Sequence, residues 1–216
     1  MEVTISSVMN KVYMWMFAAL FSTGAVAAYV SNAGTVTNAG LIVSVIVQFI
    51  IIFSMRGSRM ESMNTTVTIS LFFIYAALNG YILSILLAMY EIGMITYAFG
   101  VTALVFGVMA LVGTTTKKDL SSVGHLAFIG LLTVVLISFV GIFISLPIND
   151  LFLSYAIVII FLGLIAYETQ KIKQLMITYA GTEKETNIAI YGAFGLYIDF
   201  VNLFIHILKI FASRRD

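Results

Sequence analysis

Seven long, mostly apolar stretches, at about residues 12–30, 40–55, 66–89, 93–113, 123–145, 151–172 and 188–211, leave this chain little choice of fold. A bilayer core of roughly 30 Å requires about 20 apolar residues per helix at 1.5 Å per residue, and most of these stretches meet that length. They are far longer than the roughly ten-residue alternating segments of a membrane barrel, so strands are not the expected repeating element. The separators are short and polar: Asn32, Gly34, Thr35 and Asn38; then Arg56, Gly57, Ser58, Arg59 and Glu61; then Glu91 and Gly93; then Lys117, Lys118 and Asp119; then Pro147, Asn149 and Asp150; and last TYAGTEKETN. The expected fold is an all-α integral membrane protein, a seven-transmembrane-helix bundle forming a single domain over residues 1–216. Composition agrees: 61% hydrophobic residues, 10% charged and a mean hydropathy of +1.08 lie far outside the soluble range. No small-residue cleavage site follows the first apolar run closely, so that run is expected to be a retained span rather than a signal peptide.

The distribution of cations orients the chain. With seven spans, the amino terminus and the second, fourth and sixth loops share a side and collect Lys11, Arg56, Arg59, Lys117, Lys118, Lys171, Lys173 and Lys184, whereas the other loops carry no Lys or Arg. The positive-inside rule then puts the amino terminus in the cytoplasm. Lys209, Arg214 and Arg215 conflict with that assignment, unless the last stretch is re-entrant; its 24 residues suffice for a full crossing, which is the expectation adopted. A net charge of +1 provides no basic field for nucleic acid, and the absence of cysteine excludes disulfides and thiolate chemistry.

Small residues recur at helical spacing in two stretches, Ala77, Gly80, Ser84 and Ala88 in the third and Gly100, Ala103, Gly107 and Ala110 in the fourth. Such spacing is expected to let neighbouring helices approach closely.

The last stretch, IAIYGAFGLYIDFVNLFIHILKIF, carries a carboxylate, Asp199, near its middle. Gly192, Gly195, Asp199, Asn202 and His206 fall on one arc of that helix, which points to a rod surrounded by other helices with a polar stripe facing a cavity or a close neighbour. An acid at bilayer depth costs a few kcal/mol or more unless it has a partner or water. Glu168, where the sixth stretch turns polar in LIAYETQKIK, is the candidate partner, at a depth that matches Asp199 within roughly two helical turns. Two carboxyls in contact cannot both ionise cheaply; such a pair shares a proton, titrates in coupled steps and would act as a proton-responsive latch. The competing role for Glu168 is a snorkelling interfacial acid beside Lys171.

Arg56 closes the second stretch at the same membrane face and would bridge helices when the acids ionise; an ordinary loop cation explains it equally well. Asn202, His206, Gln48 and Asn79 are candidate pore-lining or packing residues, and His125 opens the fifth stretch. Carboxylate and amide oxygens suit a hard cation, but Ca²⁺ takes six to eight oxygens, so Glu168 and Asp199 would meet it only weakly and transiently, as a conduit requires. No cofactor is expected. HExxH, GxSxG, GxGD and phosphate-cradling glycine motifs are all absent, so the chain is not expected to be an enzyme.

FIYAALNGYILSILLAMYEIGMITYAFGVTALVFGVMALVGTTTKKDLSSVGHLAFIGLL resembles the signature region of the Bax inhibitor-1, or transmembrane Bax inhibitor motif, family. AYETQKIK and GLYIDFVNLFIHIL resemble its last two helices in the same order, so the similarity runs over roughly residues 50–211. The resemblance implies a seven-helix bundle with the final helix central, and a pH-sensitive Ca²⁺ leak across a membrane, in a bacterial member the inner membrane. The family's paired acids carry over to Glu168 and Asp199 and its basic residue to Arg56. Glu168 departs from the aspartate common in the family, which alters reach and set point. Two other functions fit the same residues: a Ca²⁺/H⁺ exchanger using the two acids, and a membrane scaffold that regulates a partner protein such as a protease or a cell-death factor.

Overall fold

The computed structural model describes residues 5–55, 63–144 and 149–213, and within them every regular element is an α-helix. Seven helices follow one another: α1 (Ile5–Ala33), α2 (Asn38–Ser54), α3 (Thr65–Met89), α4 (Ile92–Thr115), α5 (Ser121–Ile144), α6 (Asp150–Tyr179) and α7 (Glu185–Ala212). Six are long and apolar enough to cross a membrane; α2, at 17 residues, is shorter.

Helix ends lie where backbone donors find local acceptors. Asn64 Oδ1 accepts from Thr66 N at 2.8 Å before α3, Asp119 Oδ1 from Ser121 N at 2.9 Å before α5, and Asn149 Oδ1 from Leu151 N at 2.9 Å before α6. Each satisfies an amide that has no partner inside the helix. At the other end, Gly34 (φ 61°) terminates α1 and donates its N–H to Val30 O at 3.0 Å, a left-handed cap that glycine adopts without steric cost.

The helices overrun the apolar stretches. α1 begins at Ile5 rather than near residue 12, and α6 continues to Tyr179 rather than ending near 172. Helical hydrogen bonding does not end at the hydrocarbon boundary, and Val8, Met9 and Val12 on α1 and Met176 on α6 are buried in protein.

The chain divides into two compact units, residues 1–92 with 172–197 and residues 93–171 with 198–216, so α6 and α7 each contribute to both. In the first unit, Phe72 of α3 packs edge-on against Phe194 and Tyr197 of α7, each at 5.6 Å between centroids. Gly80 lets α3 approach α1: a Cβ there would lie 2.6 Å from Thr23 O. In the second unit, Phe200 of α7 meets Phe99 and Phe106 of α4 edge-on at 5.4 and 5.5 Å.

The small-residue expectation for α4 is corrected. A Cβ at Gly100 or Gly107 would meet nothing within 4 Å, and Ala103 is exposed; of that stripe only Ala110 is buried among its neighbours. Small side chains permit close approach but do not compel it, and α4 uses its aromatic face instead.

Burial differs sharply along the sequence. In α7, 72% of the most apolar window is covered by protein, against 33% or less in the other five long helices. The outer residues of α5, such as Leu126, Leu136 and Phe139, are exposed apolar side chains of the kind that lipid covers.

Candidate functional site: an acidic pair between α6 and α7

Asp199 lies in the second unit, 5% exposed, on a helix whose neighbouring positions Phe200 and Val201 are also buried. Its Oδ2 is buried with no hydrogen-bond partner among the described residues. Glu168 of α6 is half-buried, and both acids singled out in the sequence fall within this same unit.

α6 carries Glu168 to this position through close packing within the second unit. A Cβ at Gly113 of α4 would fall 2.3 Å from Ala166 O, and one at Gly124 of α5 would fall 2.3 Å from the Tyr167 ring, so the bare glycine backbones are what admit α6. Gln170, 7% exposed, reaches the turn between α4 and α5: its Nε2 donates to Lys118 O and its Oε1 accepts from Leu120 N, both at 2.9 Å. The sequence reading missed Gln170 because it follows the apolar stretch among lysines and looks like the start of a solvated segment; an amide flanked by buried positions was the available signal.

The remaining candidates separate. Asn202 donates its Nδ2 to Ile198 O at 2.8 Å, one turn back on its own helix. His206 Nδ1 is 3.3 Å from Ser154 Oγ of α6, a part-buried contact that ties the two helices farther along. Gln48 and Asn79 belong to the first unit. Gln48 Nε2 is buried without a hydrogen-bond partner among the described residues, whereas the Asn79 amide bonds to Tyr75 and Tyr197. His125 is exposed. Arg56, Arg59, Pro147, Arg214 and Arg215 lie outside the described residues.

Near Asn79, the Thr23 hydroxyl is 2.7 Å from Tyr197 Oη and within 3.0 Å of the carbonyls of Ala19 and Ala76. A hydroxyl has one proton, so Thr23 donates to a carbonyl and Tyr197 donates to Thr23. On the loop side of the first unit, Lys11 of α1 forms an ion pair with Glu185 of α7, whose other oxygen accepts from Gly181 N at 2.8 Å.

Among the described residues no three His, Cys, Asp or Glu side chains gather as a metal site.

Fold and side chains together define a helical integral membrane protein with an acidic residue buried in its last helix. The profile of the family described as Inhibitor of apoptosis-promoting Bax1 matches residues 5–216. The inner membrane protein YbhL of Escherichia coli K12 is 36% identical, over 98% of this chain and 93% of its own length. A Rickettsia prowazekii protein is 33% identical over 96% and 90%, and a Streptococcus pyogenes serotype M3 membrane protein is 36% identical over 79% and 73%. The chain belongs to the Bax inhibitor-1 family.

Proposed function

We propose that this protein is a pH-sensitive calcium leak channel of the bacterial inner membrane, one seven-span transmembrane domain with α7 as its central helix and the amino terminus in the cytoplasm. The observation that carries this reading is a buried Asp199, in the same compact unit as Glu168, whose second oxygen lacks a hydrogen-bond partner among the described residues. Proton occupancy of the pair sets its net charge, and a change in charge shifts the balance between two packings of the helices that hold it. Protonation changes the attraction among Glu168, Asp199 and Arg56 and thereby shifts helix packing between a closed and an open state, while the ionised carboxyls attract a hydrated cation. Binding stays weak, as passage requires, because two carboxyls leave most of the Ca²⁺ coordination to water. Arg56, by its position at the end of the second apolar stretch, is the proposed latch for the ionised pair, and Asn202 and His206 continue the polar stripe along α7. No catalytic step and no resident cofactor form part of this function.

Support for the inner membrane comes from the similarity to the Escherichia coli inner membrane protein YbhL and from six helices long enough to span. Full crossing by α7 is supported by its length, 28 residues or roughly 42 Å at 1.5 Å per residue.

A leak and an exchanger are told apart by driving force. In sealed liposomes containing only this protein, a leak lets Ca²⁺ run down its own gradient and nothing more. Accumulation of Ca²⁺ against its gradient, driven by an imposed proton gradient, would replace the leak with a Ca²⁺/H⁺ exchanger using the same acids. Absence of any Ca²⁺ movement, with a membrane protein partner retained by Asp199→Asn, would favour a scaffold.

A further inference from the structure

Glu168 sits in a segment of α6 that is gripped from one side by α4, α5 and the turn between them. Ala166 lies on the bare backbone of Gly113, Tyr167 lies on that of Gly124, and Gln170 makes its two 2.9 Å hydrogen bonds to Lys118 O and Leu120 N. At about 100° per residue, positions 166, 167 and 170 occupy one arc of α6, and Glu168 stands roughly 150° around from its centre. The α4–α5 hairpin therefore holds α6 along the arc of positions 166, 167 and 170, and Glu168 stands on the other side of the helix.

Of the three contacts, the two glycine contacts are steric and limit only how near α6 can come. The Gln170 amide is directional. It engages one acceptor and one donor two residues apart on a turn, which fixes rotation and depth together. A planar amide held at both ends is a poor choice for mere solvation and a good one for register.

We propose that Gln170 is a positioning residue for the acidic pair: by fastening α6 to the backbone of the α4–α5 turn, it sets the side chain of Glu168 against Asp199. This rests on the proposal that the two acids form one proton-responsive site. Besides Glu168, the charged or titratable groups of this unit's described residues are Asp199, His206 and Lys209 on α7, His125 on α5, Lys117, Lys118 and Asp119 in the turn, Asp150, Tyr155, Tyr167 and Lys171 on α6 itself, and Tyr97 on α4. Gln170→Leu leaves all of them in place and removes only the tie.

The test is an infrared titration of protonated carboxyls in the full-length protein in liposomes. Wild type is compared with Gln170→Leu and with Leu120→Pro, which deletes the turn's donor while keeping Gln170. Asn64→Ala, which loses the α3 cap in the other unit, serves as a control for lowered stability. Slackening the tie separates the acids and weakens their interaction. In both tie variants the two carboxyl steps are therefore expected to draw together by about half a pH unit or more, with no such change in Asn64→Ala. Unmoved steps in the tie variants, or equal movement in Asn64→Ala, would overturn the assignment. If neither tie variant folds, Gln170 is a folding residue and the positioning role falls. If wild type titrates in a single step that Glu168→Gln leaves unchanged, the acidic pair itself is refuted and the positioning role with it.

Discussion

Single side chains of this protein differ in what they contribute, and hydroxyls and carboxyls separate cleanly. Tyr197 is fully buried and donates to Thr23, so Tyr197→Phe deletes its buried hydrogen bonds to Thr23 and Asn79 while Thr23 keeps its carbonyl acceptor. A loss of about 1–3 kcal/mol is expected, read as a lower denaturation midpoint in detergent; an unchanged midpoint would show that these bonds add no net stability. Asp119 behaves differently because it is in water. Hydrogen bonds from the Ser121 hydroxyl and backbone amide hold its carboxyl below the ordinary carboxylate range. A depressed folded-state value means that the stability is complete above the unfolded value and is lost as pH falls through the folded one. Asp119→Asn keeps an oxygen acceptor for the α5 amide but has no proton to gain, so the acid side of its stability–pH curve should be flatter than wild type. Identical curves would remove Asp119 from the list of stabilising groups. At this scale the sequence singled out Asp199 and Glu168 as candidates, because an acid within or beside an apolar stretch stands out. It did not reveal Gln170 or the Thr23–Tyr197 bond, because neutral polar side chains declare their partners only once helices are placed side by side.

Helices and their junctions were the most legible level. Each of the seven apolar stretches became a helix, because backbone groups in an apolar setting must pair internally. Caps at Asn64, Asp119 and Asn149 stand at polar separators. Ends were less legible: apolar length marks lipid thickness, not the end of a hydrogen-bond ladder, which is why α1 and α6 run on. Glycine spacing also misled in α4, where Gly100 and Gly107 face open space while Gly113, outside the conspicuous stripe, and Gly124 of α5 make the close approaches. The two classes should respond with opposite sign. Gly124→Ala drives a methyl into the Tyr167 ring and is expected to cost about 1–3 kcal/mol, whereas Gly100→Ala meets nothing and should stabilise α4 by up to about 1 kcal/mol through helix propensity. Denaturation midpoints of the two variants check this; equal shifts would mean that Gly124 is not the contact described.

For the molecule as a whole, family and membrane character follow from the match over nearly the full chain and from six spanning helices. Orientation, permeant ion and gating belong to the proposal, since charge bias and an acidic pair are compatible with more than one transport cycle. A tag at the amino terminus is expected to be protected in intact right-side-out vesicles and exposed in inverted ones; the reverse pattern would turn the cation bias of the loops into an exception. Glu168 and Asp199 belong to one unit, so the proposed pair does not depend on how the two units are arranged. The decisive measurement is Ca²⁺ influx into liposomes containing only this protein, followed on both sides of neutral pH for wild type and for Asp199→Asn. Influx that changes with pH in wild type and loses that dependence in the variant is the expected result. The same pH curve in both proteins, or no influx at any pH, would contradict proton gating by the buried acids.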